Sequence, residues 1–184
     1  MLRDRVPEQW SSVAATIGTY WETYGGLRSL LSSPYFALSV ITTVVVYSYA
    51  YLFEAKLDWT QNIFDVVPSL LGFSIGAFAV LLVFSGDRFQ SLIVEEGVAG
   101  SLFMKTSALF VHFIVVQSLC VLMALLAKVW GPFSPIAFFL LTYSLFTAVA
   151  AALALFNLAM LYNAIAHSMF NGGADQAKNG GEEI

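Results

Sequence analysis

Residues 66–85 read VVPSLLGFSIGAFAVLLVFS, a stretch that contains no Asp, Glu, Lys or Arg. Because an α-helix rises about 1.5 Å per residue, roughly 20 apolar residues suffice to cross the hydrocarbon core of a membrane. The stretch is therefore predicted to form a transmembrane helix. Asp65 is predicted to cap its N-terminus, and Pro68 is expected in the first turn, where a missing N–H has no helical partner to lose.

Three further uncharged stretches are predicted to span the membrane by the same criterion. They lie at about 35–53, 104–127 and 135–158. The last helix is expected to overhang the bilayer as far as residue 170 and to stop at Asn171-Gly172-Gly173. The predicted fold is all-α: a polytopic integral membrane protein with four transmembrane helices preceded by an amphipathic interfacial helix. Its predicted parts are an arm at 1–33, the four-helix domain at 34–170 and a flexible tail at 171–184.

The composition excludes several classes of protein. Hydrophobic residues make up 59% of the chain and charged residues 11%, whereas about a quarter of the residues in a soluble domain are charged. A net charge of −4 leaves no basic surface for nucleic acid. Cys120 is the single cysteine, which excludes a disulfide framework and a cysteine-based metal site.

Catalysis is not expected from this inventory of side chains. The chain has no phosphate-binding glycine loop, no HExxH motif and no acidic residue within a predicted span. We therefore expect no enzyme activity, no cofactor and no metal site. The expected partners are the lipid bilayer, further copies of the chain and, as an alternative, a protein at the cytoplasmic face.

The N-terminal arm has the three- and four-residue spacing of an amphipathic helix. Its apolar positions are Trp10, Val13, Ile17, Tyr20, Trp21, Tyr24 and Leu27. Pro7 is expected to begin this helix, and Gly25-Gly26 is expected to interrupt it. Two tryptophans on the apolar face favour a helix that lies in the membrane interface. Such a helix either anchors the chain or acts as a slide helix that transmits motion to the first span.

The distribution of Lys and Arg predicts the orientation, because basic loops stay on the cytoplasmic side. Four spans place both termini on one side, where six basic residues fall against two on the other. The six are Arg3, Arg5, Arg28, Arg88, Lys105 and Lys178, and the two are Lys56 and Lys128. Without Arg3 and Arg5, which are far from the first span, the ratio is four to two. We expect an N-in, C-in protein of the bacterial inner (plasma) membrane.

Small residues recur along the second predicted span at alternating spacings of three and four. They are Ser69, Gly72, Gly76, Ala79, Val83 and Gly86. In lipid no hydrophobic force joins helices, so close approach through small side chains supplies the packing energy. This seam is predicted either to pack within one subunit, or to form a subunit interface or the lining of a narrow pore. Within a subunit, its expected partner is the small-residue face of the fourth span, with Tyr143, Thr147, Ala150, Ala154 and Asn157.

Polar side chains inside the other spans are candidate functional residues. They are His112 and Gln117 in the third span and Tyr143 and Thr147 in the fourth. His112 is interpreted either as a neutral imidazole that hydrogen-bonds a neighbouring helix or as a residue of a proton or ion pathway. Lys105, one heptad earlier, and Gln117 are its candidate partners in the same helix. Tyr143 and Thr147 are expected to form hydrogen bonds between helices.

The cytoplasmic end of the second span carries a pair of charges, Asp87-Arg88, which together with Lys105 is a candidate pore mouth. The segments Pro68-Ser69-Leu70-Leu71-Gly72 and Phe84-Ser85-Gly86-Asp87-Arg88-Phe89 resemble the pore-helix region of bestrophin-type anion channels, in which a small-residue helix runs into a charged turn. The Arg-Thr-Asn-like and Tyr-Asp-Arg-like signatures of that family do not follow the helix, and the chain is much shorter. The resemblance is therefore confined to this segment and implies conductance as the property to test.

Two functions are compatible with these features. In the first, several copies assemble around the second span and conduct ions as a channel or pore-forming effector. In the second, the protein is a non-conducting accessory or assembly subunit that presents cytoplasmic elements to a protein partner. Few polar groups lie along the second span, so a pore there would be narrow, mostly apolar and gated by wetting.

Overall fold

The computed structural model describes residues 8–55, 57–83 and 101–179. These ranges form six α-helices and contain no strand. The helices are α1 (Glu8–Tyr24), α2 (Gly26–Ser32), α3 (Pro34–Leu52), α4 (Thr60–Val83), α5 (Leu102–Val129) and α6 (Ser134–Asn179), with a 3₁₀ turn at Gly131–Phe133 before α6. Four of them contain segments long and apolar enough to cross a membrane. The predicted all-α fold with four candidate spans is confirmed.

Helix α4 begins six residues earlier than predicted, at Thr60 instead of residue 66. The carboxylate of Asp58 accepts a hydrogen bond from the Thr60 backbone N–H at 3.0 Å and another from its hydroxyl. Both hydrogen bonds lower the pKa of Asp58, and the bond from the Thr60 hydroxyl has the larger effect. Asp65 lies inside the helix and accepts from Gln61 Nε2 at 2.9 Å, so its prediction as the N-cap is wrong.

The early start of α4 has a packing reason. Its first turns bury Ile63 and Val67 completely, and that burial would be lost if the helix began at residue 66. Pro68 consequently lies inside the helix, where it removes one backbone hydrogen bond. The prediction of Pro68 in the first turn is therefore wrong.

Helices α3 and α5 lie close to their predicted positions. α3 begins at Pro34, one residue before the predicted start, and ends at Leu52. α5 extends two residues beyond the predicted range at each end. The Ser101 hydroxyl caps α5 by accepting from the Met104 backbone N–H at 3.3 Å, which satisfies one of the free N–H groups at the start of a helix.

Helix α6 continues to Asn179 and passes through Asn171, Gly172 and Gly173, so the predicted stop there is wrong. Glycine in a helix interior costs about 1 kcal/mol relative to alanine, which weakens a helix without ending it. The chain divides into two compact units between Ala151 and Ala152. The second unit consists, in its described part, of residues 152–179 of α6, and its Leu153, Phe156 and Met160 side chains are exposed.

In the first unit, α4, α5 and α6 share a core of small and medium-sized side chains. Its buried members are Ile63, Val67, Cys120, Ala124, Ala137, Phe138 and Leu141. The Cys120 thiol lies 3.7 Å from the Ala137 carbonyl oxygen, so α5 and α6 approach closely at this level. α3 joins the core through Tyr47, whose hydroxyl lies 2.9 Å from Ser134 Oγ. α6 therefore contacts both α3 and α5.

The helix of the arm is interrupted at Gly25-Gly26, as the sequence predicts: Gly25 lies between α1 and α2, and Gly26 is the first residue of α2. Both have positive φ, 95° and 66°, a backbone conformation that costs an L-residue with a side chain about 1–2 kcal/mol. At Gly25 an added Cβ would also meet the Ser29 hydroxyl. The glycine pair therefore fixes the direction in which α2 leaves α1.

We expect Gly25→Ala to lower the free energy of unfolding by about 1–2 kcal/mol, because alanine does not readily adopt this φ. Thermal unfolding in detergent micelles measures the effect. Gly18→Ala is the matched control, since Gly18 lies inside α1 with open space around an added Cβ, and alanine there favours the helix by about 0.5–1 kcal/mol. Equal stability of the two variants would refute a conformational role for Gly25.

Candidate functional site: the open face of α4 and the Tyr–His cluster

The predicted small-residue seam lies on the exposed side of α4. Ser69, Gly72, Gly76, Ala79 and Val83 are all exposed, Val83 to 81%, and we call them the open α4 face. A Cβ added at Gly72 or Gly76 would have no atom within 4 Å. In the part of the chain that the structure describes, this seam therefore does not pack against another helix of the same subunit. Gly86, its last predicted member, lies outside the described residues.

The opposite side of α4 is the one that packs. Its buried residues are Ile63, Val67, Ser74 and Leu81, and its partner is α5. Gln117 of α5 is fully buried and donates from Nε2 to Ser74 Oγ at 3.1 Å. Phe78 and Phe110 stack in the same interface, with ring centroids 6.1 Å apart. The face of α4 that bears these residues, and not the glycine face, therefore meets α5.

We expect Gln117→Leu to lower stability by less than about 1 kcal/mol, because hydrogen bonds between membrane helices average about 0.6 kcal/mol. Ser74 keeps a partner in this variant, since its hydroxyl also donates to the Leu70 carbonyl oxygen at 2.6 Å. Gln117→Ala, which leaves a cavity, should cost about 2 kcal/mol or more. Unfolding of both variants in the same detergent measures the difference. A loss for the leucine variant as large as that for the alanine variant would contradict this assignment.

The expected partner of the small-residue face of α6 is α4, but its residue Tyr143 contacts α5 and α3. Tyr143 and Thr147 are buried, and the Tyr143 ring meets Phe36 of α3 edge-on, with centroids 5.8 Å apart. Tyr143 forms a hydrogen bond between helices, but its partner is His112 of α5, at 2.9 Å, and not the second span as predicted. Thr147 does not, because its hydroxyl donates within α6, to the Tyr143 carbonyl oxygen at 2.8 Å.

His112 lies at the centre of a cluster that joins three helices. Its Nδ1 is 2.8 Å from the Tyr20 hydroxyl of α1, and its Nε2 is 2.9 Å from the Tyr143 hydroxyl of α6. The Tyr24 ring of α1 stacks on the imidazole, with centroids 4.1 Å apart and planes 15° apart. We call Tyr20, Tyr24, His112 and Tyr143 the Tyr–His cluster. Neither Lys105 nor Gln117, the partners predicted from sequence, contributes to it.

The chemistry of the cluster matches a neutral imidazole. Each Tyr hydroxyl can donate or accept, so one ring nitrogen accepts a hydrogen bond while the other donates one. Burial, with a smaller contribution from Tyr24, raises the pKa of Tyr20 from 10.0 to about 12. Its hydroxyl therefore remains protonated at neutral pH. Among the described residues, no three His, Cys, Asp or Glu side chains lie together as a metal site would require.

The apolar positions of the arm have two environments. Trp10, Val13, Ile17 and Leu27 are exposed, whereas Tyr20 and Tyr24 contact His112. Their spacing predicts that all of them lie on one face of the helix. The contact between Tyr20 and His112 could not be predicted, because the two residues are 92 positions apart and helical periodicity does not relate two distant helices.

The candidate pore mouth is only partly described. Asp87 and Arg88 lie outside the described residues, as do Pro7 and residues 84–100. Lys105 is exposed in the first turn of α5. No protein-family model, characterised protein or solved structure matches the chain at a significant level.

Proposed function

We propose that this protein is a homo-oligomeric, ion-conducting membrane protein whose subunits meet along the open α4 face. The observation that carries the proposal is that this face contains two glycines with no atom within 4 Å of an added Cβ. A helix in lipid gains little from exposing glycine to acyl chains. It gains van der Waals contact when a second helix approaches that backbone.

The proposed occupant of this face is the α4 helix of another copy. The described part of one subunit uses the other side of α4 to pack on α5, so the open face stays available for assembly. A ring of such faces encloses a path that one four-helix subunit could not enclose by itself. Conductance therefore depends on assembly.

The proposed pore is narrow and mostly apolar. Ser69 has its hydroxyl on the open α4 face. Ser74 is 1% exposed, accepts a hydrogen bond from Gln117 and donates one to the Leu70 carbonyl oxygen of its own helix. Ser74 is thereby removed from any pore lining. A pore of this kind opens and closes by wetting of an apolar constriction, without rings of charge to select ions.

The first experiment is the subunit count of the purified protein in lipid nanodiscs, by native mass spectrometry, followed by ion flux through reconstituted vesicles. A ring of four or more copies together with flux above that of empty vesicles supports the proposal. A monomer or dimer without flux refutes it. We further propose the N-in, C-in orientation in a bacterial inner membrane, which places the Lys105 end of α5 on the cytoplasmic side.

The second candidate function is a non-conducting accessory subunit. It is favoured by the length of α6, which is helical from Ser134 to Asn179 and is therefore longer than the roughly 20 residues that cross the hydrocarbon core. The remaining turns offer a cytoplasmic helix to a protein partner. A stable monomer that shows no flux and retains a specific protein from solubilised membranes through this helix would favour this second candidate.

A further inference from the structure

Helix α1 is attached to the four-helix part of the chain through the Tyr–His cluster. Two of its side chains hold His112, one by a hydrogen bond of 2.8 Å and one by stacking. The imidazole is only 5% exposed in this arrangement. Burying a polar ring is tolerated when its nitrogens are paired, so the docked position of α1 and the burial of His112 depend on each other.

The same segment of α5 also carries the contacts to α4. Phe110, two residues before His112, stacks with Phe78, and Gln117, five residues after it, bonds Ser74. A rigid helix transmits a shift at one of these positions to the others. The position of α1 is thus linked through α5 to the helix that bears the open α4 face.

The other side of α1 is suited to lipid. Trp10, Val13 and Ile17 are exposed there, and α1 contains no Lys or Arg. The membrane interface accepts such a face through apolar burial and without attraction to anionic headgroups. α1 therefore has two competing surroundings: the Tyr–His cluster and the bilayer.

We propose that α1 is a regulatory arm whose docking on His112 sets the position of α5 and, through it, the conductance of the pore. This inference rests on the proposed function. In the docked state the Tyr–His cluster holds α1 on α5. In the released state α1 turns about Gly25-Gly26 and lies in the interface, and α4 loses the constraint that α5 transmits.

The test combines a docking measurement with a flux measurement on the full chain in vesicles of neutral phospholipid. A spin label attached through Gly18→Cys reports docking, because that position has open space and the native Cys120 is fully buried. The release variants are Tyr20→Phe, which removes one hydroxyl, and the double variant Tyr20→Phe with Tyr24→Leu. Tyr51→Phe is the matched control, since Tyr51 is 86% exposed at the end of α3.

We expect the double variant to increase the mobility of the label and to change flux by about fivefold or more, the lower range of coupling between two sites. Tyr20→Phe should change the label mobility and the flux in the same directions as the double variant, but by less. Tyr51→Phe should change neither the mobility nor the flux. Wild-type vesicles that conduct, with equal flux from the variants despite a mobile label, would overturn the regulatory role alone. An immobile label in the double variant would overturn the docking role. Absence of wild-type flux would overturn the proposed function and this inference with it.

Discussion

Gly76→Leu is expected to prevent assembly of the protein while leaving the fold of the subunit intact. A Cβ added at Gly76 meets no atom within 4 Å in one subunit, and Gly76 is exposed, so we expect the leucine side chain to extend outward without strain. Between subunits, it would separate two helix backbones that approach through glycine. We expect the association constant to fall by at least about tenfold, which corresponds to about 1.4 kcal/mol, and flux to fall with it.

Native mass spectrometry in nanodiscs and thermal unfolding together measure this prediction. Ser48→Leu is the matched control, because Ser48 is an exposed small residue on α3, away from the open α4 face. Leu82→Ala changes another exposed position of α4 and should be much milder. If Gly76→Leu and Ser48→Leu lose assembly equally, lipid-facing bulk in general is responsible and the open α4 face is not the interface.

His112→Leu is expected to lower the free energy of unfolding by about 2–4 kcal/mol, because it removes the group that binds two partly or fully buried hydroxyls, each costing about 1–3 kcal/mol when unpaired. Tyr143 is 3% exposed, so water does not readily replace the lost partner. The variant also loses the stacking of Tyr24 on the imidazole. Helix α1 should be the first element to detach.

Unfolding by heat in one detergent measures this loss. Ser118→Ala is the control on the same helix, since Ser118 is exposed and its hydroxyl donates only to the Ile114 carbonyl oxygen of α5. His112→Gln, which keeps a donor and an acceptor, should recover part of the stability. A loss for His112→Leu no larger than that for Ser118→Ala would mean that the cluster contributes nothing to stability.

The spans could be predicted because their signal is local. A run of apolar residues bounded by charge or proline defines α3 and α5 to within two residues. The ends of α4 and α6 could not be predicted in the same way. α4 begins early because Ile63 and Val67 pack in the core, and α6 continues because two glycines weaken a helix without ending it.

The residues of the candidate site were also recognisable, but their partners were not. Small-residue spacing identified Gly72 and Gly76, and an ionisable group in an apolar run identified His112. Which side of α4 meets α5 depends on the contacts that the two helices make together, and the residue spacing within one helix does not contain this information. The Tyr20 contact joins positions 92 residues apart and leaves no periodic trace in the sequence.

The sequence by itself determined that this is an all-α protein with four apolar helices, since length and hydropathy are sums over neighbouring residues. It also determined the break at Gly25-Gly26, because two adjacent glycines adopt positive φ without the steric cost of a side chain. Only the tertiary structure decided that the glycine side of α4 stays open and that His112 is held by tyrosines from two other helices. The physical reason is that rotation and pairing of helices follow from competing contacts across the whole chain, and each contact is defined only after the helices have packed.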